Sequence, residues 1–237
     1  MKTILHTSAS RGHSNHGWLD SHHTFSFANY YDPERVHFGA LRVLNDDKVA
    51  AGEGFGTHPH DNMEIISIPL FGDLEHKDSM GNHGTITTGE IQVMSAGTGI
   101  FHSEFNKNKD KEVQFLQIWI LPNKKSVTPR YDQISITDLA QPNELSQILS
   151  PNPNDQGVWI HQQSWFHIGE ISEGWKGKYQ LKSEKNGVYF FVIEGKVNVA
   201  GQDLNRRDGL GVSETTEIDI TAGSDARLLV IEVPMEV

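Results

Sequence analysis

The sequence predicts an all-β protein built as two tandem barrels with little helix, and three observations carry that reading. Short runs rich in Val, Ile and Phe recur between Gly, Asn and Asp turns, among them ALRVLNDD, MEIISIPLFG, VQFLQIWIL and GVYFFVIEGKVNVAG. Strands of this length and spacing belong to sandwiches and closed barrels. Helical periodicity is scarce, and the best helix candidate, Thr137 to Leu149, is interrupted by Pro142, which removes a backbone donor and clashes with the preceding turn. Finally, the two halves resemble each other. IISIPLFGDLEH runs strand, Gly72, strand, and YFFVIEGKVNVAG runs strand, Gly195, strand, each followed by another glycine (Gly89, Gly209) and another strand. Such self-similarity marks a duplicated unit.

The order of the segments divides the chain. LPNKKSVTPRYDQ, with two prolines and a basic cluster after a strong strand, reads as the crossing between two β-domains, 1–122 and 123–237. SPNPNDQG (Ser150 to Gly157) reads as a polar surface loop. A chain of 237 residues can bury roughly 70% of its unfolded surface.

Composition narrows the function. With 36% hydrophobic and 22% charged residues the chain is globular rather than disordered. No apolar run approaches a membrane span, and MKTILHTSASRGHSNHG lacks the apolar core of a signal peptide. There is no cysteine, so disulfides, thiolate nucleophiles and Cys-based zinc sites are excluded and a cytoplasmic setting is expected. A net charge of -11 argues against direct nucleic-acid binding, which needs a basic face to displace counterions.

The chemistry gathers in GFGTHPHDNMEIISI. With 13 histidines in 237 residues, about one His-x-His is expected by chance, so His58 and His60 need support from elsewhere. Side chains alternate along a strand, so the two project together. Pro59 between them implies an edge or bulged position. Carried further along the same strand, the alternation adds Asn62 and Glu64 to that face. About forty residues on, GEIQVMSAGTGIFHSEFN supplies a second such pair, His102 and Glu104. Three imidazoles and a carboxylate suit one divalent transition metal, with Fe as first choice and Mn, Co, Ni, Cu and Zn as alternatives. Eleven of the histidines lie in the first 121 residues, and aligning Gly195 with Gly72 puts Leu181 and Ser183 where His58 and His60 stand. One half is expected to keep the metal chemistry, and the other to be a degenerate barrel without metal ligands.

The glycine frame Gly52-x5-His58-x-His60-x3-Glu64 and Gly89-x5-Ser95-x-Gly97-x4-His102-x3-Asn106 is similar to the two-part motif of the cupin superfamily. It departs in a late closing glycine at Gly72, in Ser95 where proline is usual, and in a longer gap before His102. More closely, RGHSNHGWLDSHHTFSFANYYDP, FGALRVLNDD, GFGTHPHDNMEI, HKDSMGN, MSAGTGIFHSE and QIWILP resemble the pirin family, in particular the bacterial pirin-like proteins with quercetin 2,3-dioxygenase activity. The resemblance implies a bicupin fold and a metal held by residues matching His58, His60, His102 and Glu104. Glu64 then stands behind the ligands. It further implies O2-dependent ring opening of a flavonol-like substrate with loss of carbon monoxide. As a carboxylate near the ion, Glu104 is also within reach to act as base on a substrate hydroxyl. A monomer is expected. The alternative it implies is a metal-binding regulator acting through a protein partner.

Other histidines read more plainly. His13, His16, His22 and His23 in SNHGWLDSHHTFSF repeat no common ligand spacing, and the segment reads as a loop before a strand. His76 and His83 belong to a hairpin and its turn. Phe25, Phe27, Tyr30 and Tyr31 read as core packing.

Overall fold

The structure, a computed structural model, describes residues 1–236. From the N terminus the strands are β1 (Lys2–His6), β2 (Gly12–Asn15), β3 (Leu19–His23), β4 (Leu41–Val49), β5 (Gly54–His60), β6 (Glu64–Phe71), β7 (Asp73–Asp78), β8 (His83–Thr87), β9 (Glu90–Ser95), β10 (Ile100–Asn106) and β11 (Val113–Ile120). The remainder adds β12 (Arg130–Ser135), β13 (Leu145–Ser150), β14 (Val158–Trp159), β15 (Trp165–Ile171), β16 (Lys176–Gln180), β17 (Asn186–Glu194), β18 (Val197–Val199), β19 (Gln202–Leu204), β20 (Gly209–Ser213), β21 (Glu217–Ala222) and β22 (Ala226–Pro234). The one helical element among the described residues is a 3-10 turn at Ser8–Ser10. None of their helices is long and apolar enough to cross a membrane.

The helix expected near Thr137 to Leu149 is absent. Ile136 accepts from the Leu139 and Ala140 amides, both at 2.9 Å, so one turn forms. Pro142 and a left-handed Asn143 (φ 61) then end it, and Leu145–Ser150 continues as β13.

The strands make two pairs of sheets with matching order. The first half has a seven-stranded sheet β12-β9-β6-β11-β4-β3-β2 and a four-stranded sheet β5-β10-β7-β8. The second has β1-β20-β17-β22-β15-β13-β14 and β16-β21-β18-β19. The duplication legible in the sequence is thus a duplication of topology. Gly72 and Gly195 sit at equivalent turns with φ +76 and +82, a left-handed conformation that a side chain disfavours. The expected barrels do not close, because in each half the large and small sheets remain separate hydrogen-bonded sheets.

The sheets also disregard the division at residue 122. β12, in the segment read as a crossing, pairs along its length with β9 of the first half. At the other end of the chain, β1 pairs with β20 of the second. Each half lends its neighbour an outer strand.

Between the two seven-stranded sheets lies the largest core. It takes Ile66 and Ile68 of β6, Tyr189, Phe191 and Ile193 of β17, and Leu229, Ile231 and Val233 of β22. Alternate residues of β17 and β22 (Val188, Phe190, Val192, Leu228, Val230) face the other way and fill the inside of the second half. Strand alternation thus builds two cores from one set of strands.

Candidate metal centre

β5 and β10 pair antiparallel, with His102 opposite His58 and Ile100 opposite His60. Glu104 then faces Phe55, so Gly56 and Thr57 stand against Ser103 alone: a bulge just before the first histidine. β5 is the edge strand of its sheet, which accommodates Pro59. The bulge also supplies a carbonyl, for His58 Nδ1 donates to Gly56 O at 2.8 Å. That bond fixes the tautomer and leaves Nε2 free as a ligand.

The three rings converge. Centroid distances are 4.4 Å for His58–His102 and 4.9 Å for both His58–His60 and His60–His102. One ligand nitrogen from each lies within 4.8 Å of the other two. His102 is 2% exposed, yet neither of its ring nitrogens has a hydrogen-bond partner. Burial, reinforced by His58, His60 and His76, pushes its pKa down to about 2. Burial and His58 push His60 to about 4. Both rings are therefore neutral and able to donate a lone pair at ordinary pH. A buried imidazole with no partner is costly, and an ion within reach of all three rings would satisfy it.

Glu104 is buried two residues from His102 on the same face of β10 and lines the same cavity as His58 and His60. It stands outside the 4.8 Å group of ligand atoms. Ser67 Oγ donates to Oε1 at 3.0 Å, and Gln117 Nε2 to Oε2 at 2.8 Å. Burial raises its pKa, while His76, Ser67 and Gln117 pull it back in part.

Glu64 lies elsewhere. The chain turns at Asn62 (φ 44) and passes from the four-stranded into the seven-stranded sheet, so the alternation of β5 does not carry into β6. Within β6, Glu64 shares the parity of Ile66 and Ile68, which face the core between the halves. Its carboxylate accepts from Ser95 Oγ at 2.6 Å, and burial pushes its pKa up to about 7. Asn62 instead accepts from the Ser126 amide at 2.7 Å, pinning the crossing segment.

Three further groups at the centre escaped the sequence reading. His76 does lie in a hairpin, as expected, but it is fully buried. Its ring is 5.4 Å from that of His102, and its Nε2 is 3.1 Å from Asp78 Oδ2. The i, i+2 pair His76 and Asp78 in EHKD was the available signal. Ser67 and Gln117 had none, being single polar residues inside apolar runs. Above the histidines a cavity of about 190 Å³ opens, walled by Phe27, Phe55 and Trp119. Asp47 lies on its lining, held by Ser21 and raised by burial to about 7. Phe27 thus faces the cavity, edge-on to Trp119 at 5.4 Å.

Comparison with known proteins places this arrangement. Residues 5–120 match the family model Pirin, and residues 147–233 match the model described as the quercetinase C-terminal cupin domain. The chain is 44% identical over 230 residues to quercetin 2,3-dioxygenase of Escherichia coli strain K12, covering 97% of this chain and 98% of that protein. The chain belongs to the pirin family. The bacterial pirin YhhW from E. coli, solved in complex with nickel(II), superposes with a TM-score of 0.94 at 41% identity, over 100% of both chains. A quercetin 2,3-dioxygenase from Acinetobacter baumannii, at 23% identity, shares the fold (TM-score 0.81; 98% of this chain, 86% of that one).

Proposed function

We propose that this pirin is a metal-dependent dioxygenase that opens the ring of a flavonol such as quercetin with O2 and releases carbon monoxide. The observation that carries the proposal is the convergence of His58, His60 and His102, with His102 buried and unpartnered, beneath an aromatic-walled cavity. The activity named for the E. coli relative supports it.

In this reading His58, His60, His102 and Glu104 hold one divalent transition metal, Fe first and Mn, Co, Ni, Cu or Zn as alternatives. The ion would supply the Lewis acidity that makes a substrate hydroxyl acidic and the redox chemistry toward O2. The protein does the rest. Phe27, Phe55 and Trp119 pack against the flat rings and exclude water from the floor of the cavity. Glu104 takes the hydroxyl proton on its carboxylate. A carboxylate lining the cavity is within reach for that role, and Ser67 and Gln117 fix its orientation. With the ring thus anionic and electron-rich, both atoms of O2 end in the opened product as carbon monoxide leaves.

The division of labour follows the duplication. We read residues 1–122 as the metal-binding cupin unit and 123–237 as a degenerate unit without metal ligands. The protein works as a cytoplasmic monomer in this reading.

The test is the metal content of protein purified without chelator, with O2 uptake and CO release on quercetin, for the native chain, His58→Ala and His102→Ala. Near-stoichiometric metal and turnover, both lost in the variants, are expected. Metal without turnover would redirect the proposal to another substrate or to a protein partner, and metal retained in both variants would overturn the site. Glu104→Gln should lower metal content where Glu64→Gln does not.

A further inference from the structure

Behind the cavity wall lies a second group of ligand-type side chains. The segment expected to be a loop is a hairpin, β2–β3, at the edge of the seven-stranded sheet. Its alternation sends Ser14, Leu19, Ser21 and His23 toward the cavity. His13, Asp20 and His22 take the other parity and face outward. The register sets His13 directly opposite His22, with Asp20 next on the same face. The two imidazoles stack with centroids 4.5 Å apart and planes 19° from parallel. His13 Nε2 lies 2.6 Å from Asp20 Oδ1, and one ligand atom from each of the three residues falls within 4.8 Å of the other two.

A His–Asp hydrogen bond on an exposed hairpin is ordinary by itself. What goes beyond it is His22, two residues from Asp20 on β3 and directly opposite His13 of β2, so that two nitrogens and one oxygen converge from one side. His13 and Asp20 are 52% and 35% exposed, which leaves the opposite side open to water. Two imidazoles, one carboxylate and water form a donor set that suits Ni, Zn or Cu as divalent ions. Positive charge also stands nearby: Arg11 is buried and shares Asp46 with Arg207, both at 3.5 Å, and Lys48 lies opposite Asp20 on β4, so the site is expected to bind more weakly than its donor set alone would suggest. Spacing hid the group: its members are seven and two residues apart along the chain, and only the hairpin register unites them.

We propose that His13, Asp20 and His22 form a second, weaker site for a divalent transition cation, distinct from the His58–His60–His102 centre. β2 is the outermost strand of its sheet, and the inner face of this hairpin lines the cavity. An ion bridging His13 and His22 would therefore pin the cavity wall from outside. The site does not depend on the dioxygenase reading.

The test is equilibrium dialysis of the chelator-stripped full chain against Ni²⁺ at physiological salt. Two classes of binding are expected. The tighter disappears in His102→Ala, and the weaker, micromolar one disappears in His22→Gln. Asp20→Asn should weaken the second class at least about tenfold, the scale on which even groups behind a ligand act on metal affinity. In His102→Ala loaded with Cu²⁺, electron paramagnetic resonance should show nitrogen coupling from two imidazoles that His22→Gln removes. His83→Gln, on an exposed hairpin elsewhere, serves as the control. The proposal is overturned if His102→Ala binds no Ni²⁺ below millimolar concentration, if the weaker class survives His13→Gln and His22→Gln, or if His83→Gln removes it equally.

Discussion

The two halves of the molecule share a strand order and use their interiors in opposite ways. β16 and β21 occupy the places of β5 and β10, yet they set Gly177 opposite Ile220 and Tyr179 opposite Ile218, where the first half sets His58 opposite His102. Leu181, aligned with His58 in the sequence, follows β16 and packs against an interior filled by Val188, Phe190, Val192, Ile218 and Ile220. The second half also buries a polar cluster in its interior, but its members satisfy one another. Glu232 is fully buried and accepts from Tyr179 at 2.8 Å, Asn186 at 2.7 Å and the Lys182 amide at 2.8 Å. In the first half His102 is buried with nothing to bond. The difference teaches that burial of polar groups does not mark a site. What sets His102 apart is that both its ring nitrogens are buried without a partner where two further imidazoles converge, an arrangement that destabilises the protein unless a ligand completes it.

The sharpest way to break this contrast is at its centre. His102→Ala should cost metal affinity by at least about 100-fold, a ligand mattering no less than the groups behind it, while thermal stability of the metal-free protein changes little or rises. Calorimetry of both metal-free forms and metal titration would check this. The reverse pattern is expected of Phe190→Ala in the filled half: about 3–5 kcal/mol of stability lost, measured by denaturant unfolding, with metal affinity unchanged.

A smaller effect separates the face of Glu64 from that of Glu104. Glu64 has its pKa raised from 4.5 to about 7, mainly by burial and against the opposing pull of Ser95, the His161 backbone and Arg130. The folded state therefore keeps a proton that the unfolded state releases, and stability falls as pH rises from about 4.5 to about 7. Glu64→Gln should be the more stable protein above pH 7, by on the order of 2 kcal/mol. The gain should vanish near pH 4.5, as melting curves at the two ends would show. Smallest is Ser67→Ala, which frees one oxygen of Glu104. A loss of about tenfold in turnover is expected, with the pH–rate profile displaced because the carboxylate has lost a donor.

How far the sequence could be read follows from the range of each signal. The i, i+2 histidine pair and the edge-tolerant Pro59 are local, and the structure places them as alternation requires. Glu64 was misplaced because alternation holds only within one strand. Asn62, left-handed at φ 44, is an ordinary-looking residue that ends β5 and sends the chain to another sheet. His76 was underrated because its importance lies in register: β7 sets it opposite Glu104. The same blindness to register hid His13 and His22. Apolar periodicity gave the strands and the internal repeat, but not which sheet a strand joins, as β1 and β12 show.

Those two strands carry a consequence for how the chain is made. β1 is made before every other strand described, yet its docking edge on β20 is more than two hundred residues away in sequence. β12, which borders the first half's seven-stranded sheet, emerges only after all of that sheet's other strands. The first half therefore has an open flank until the chain has passed residue 135, and the second is completed by a strand made well before any of its own. Contacts so distant in sequence slow folding, and they make each half's last step depend on the other. A protein clasped in this way should melt in a single transition.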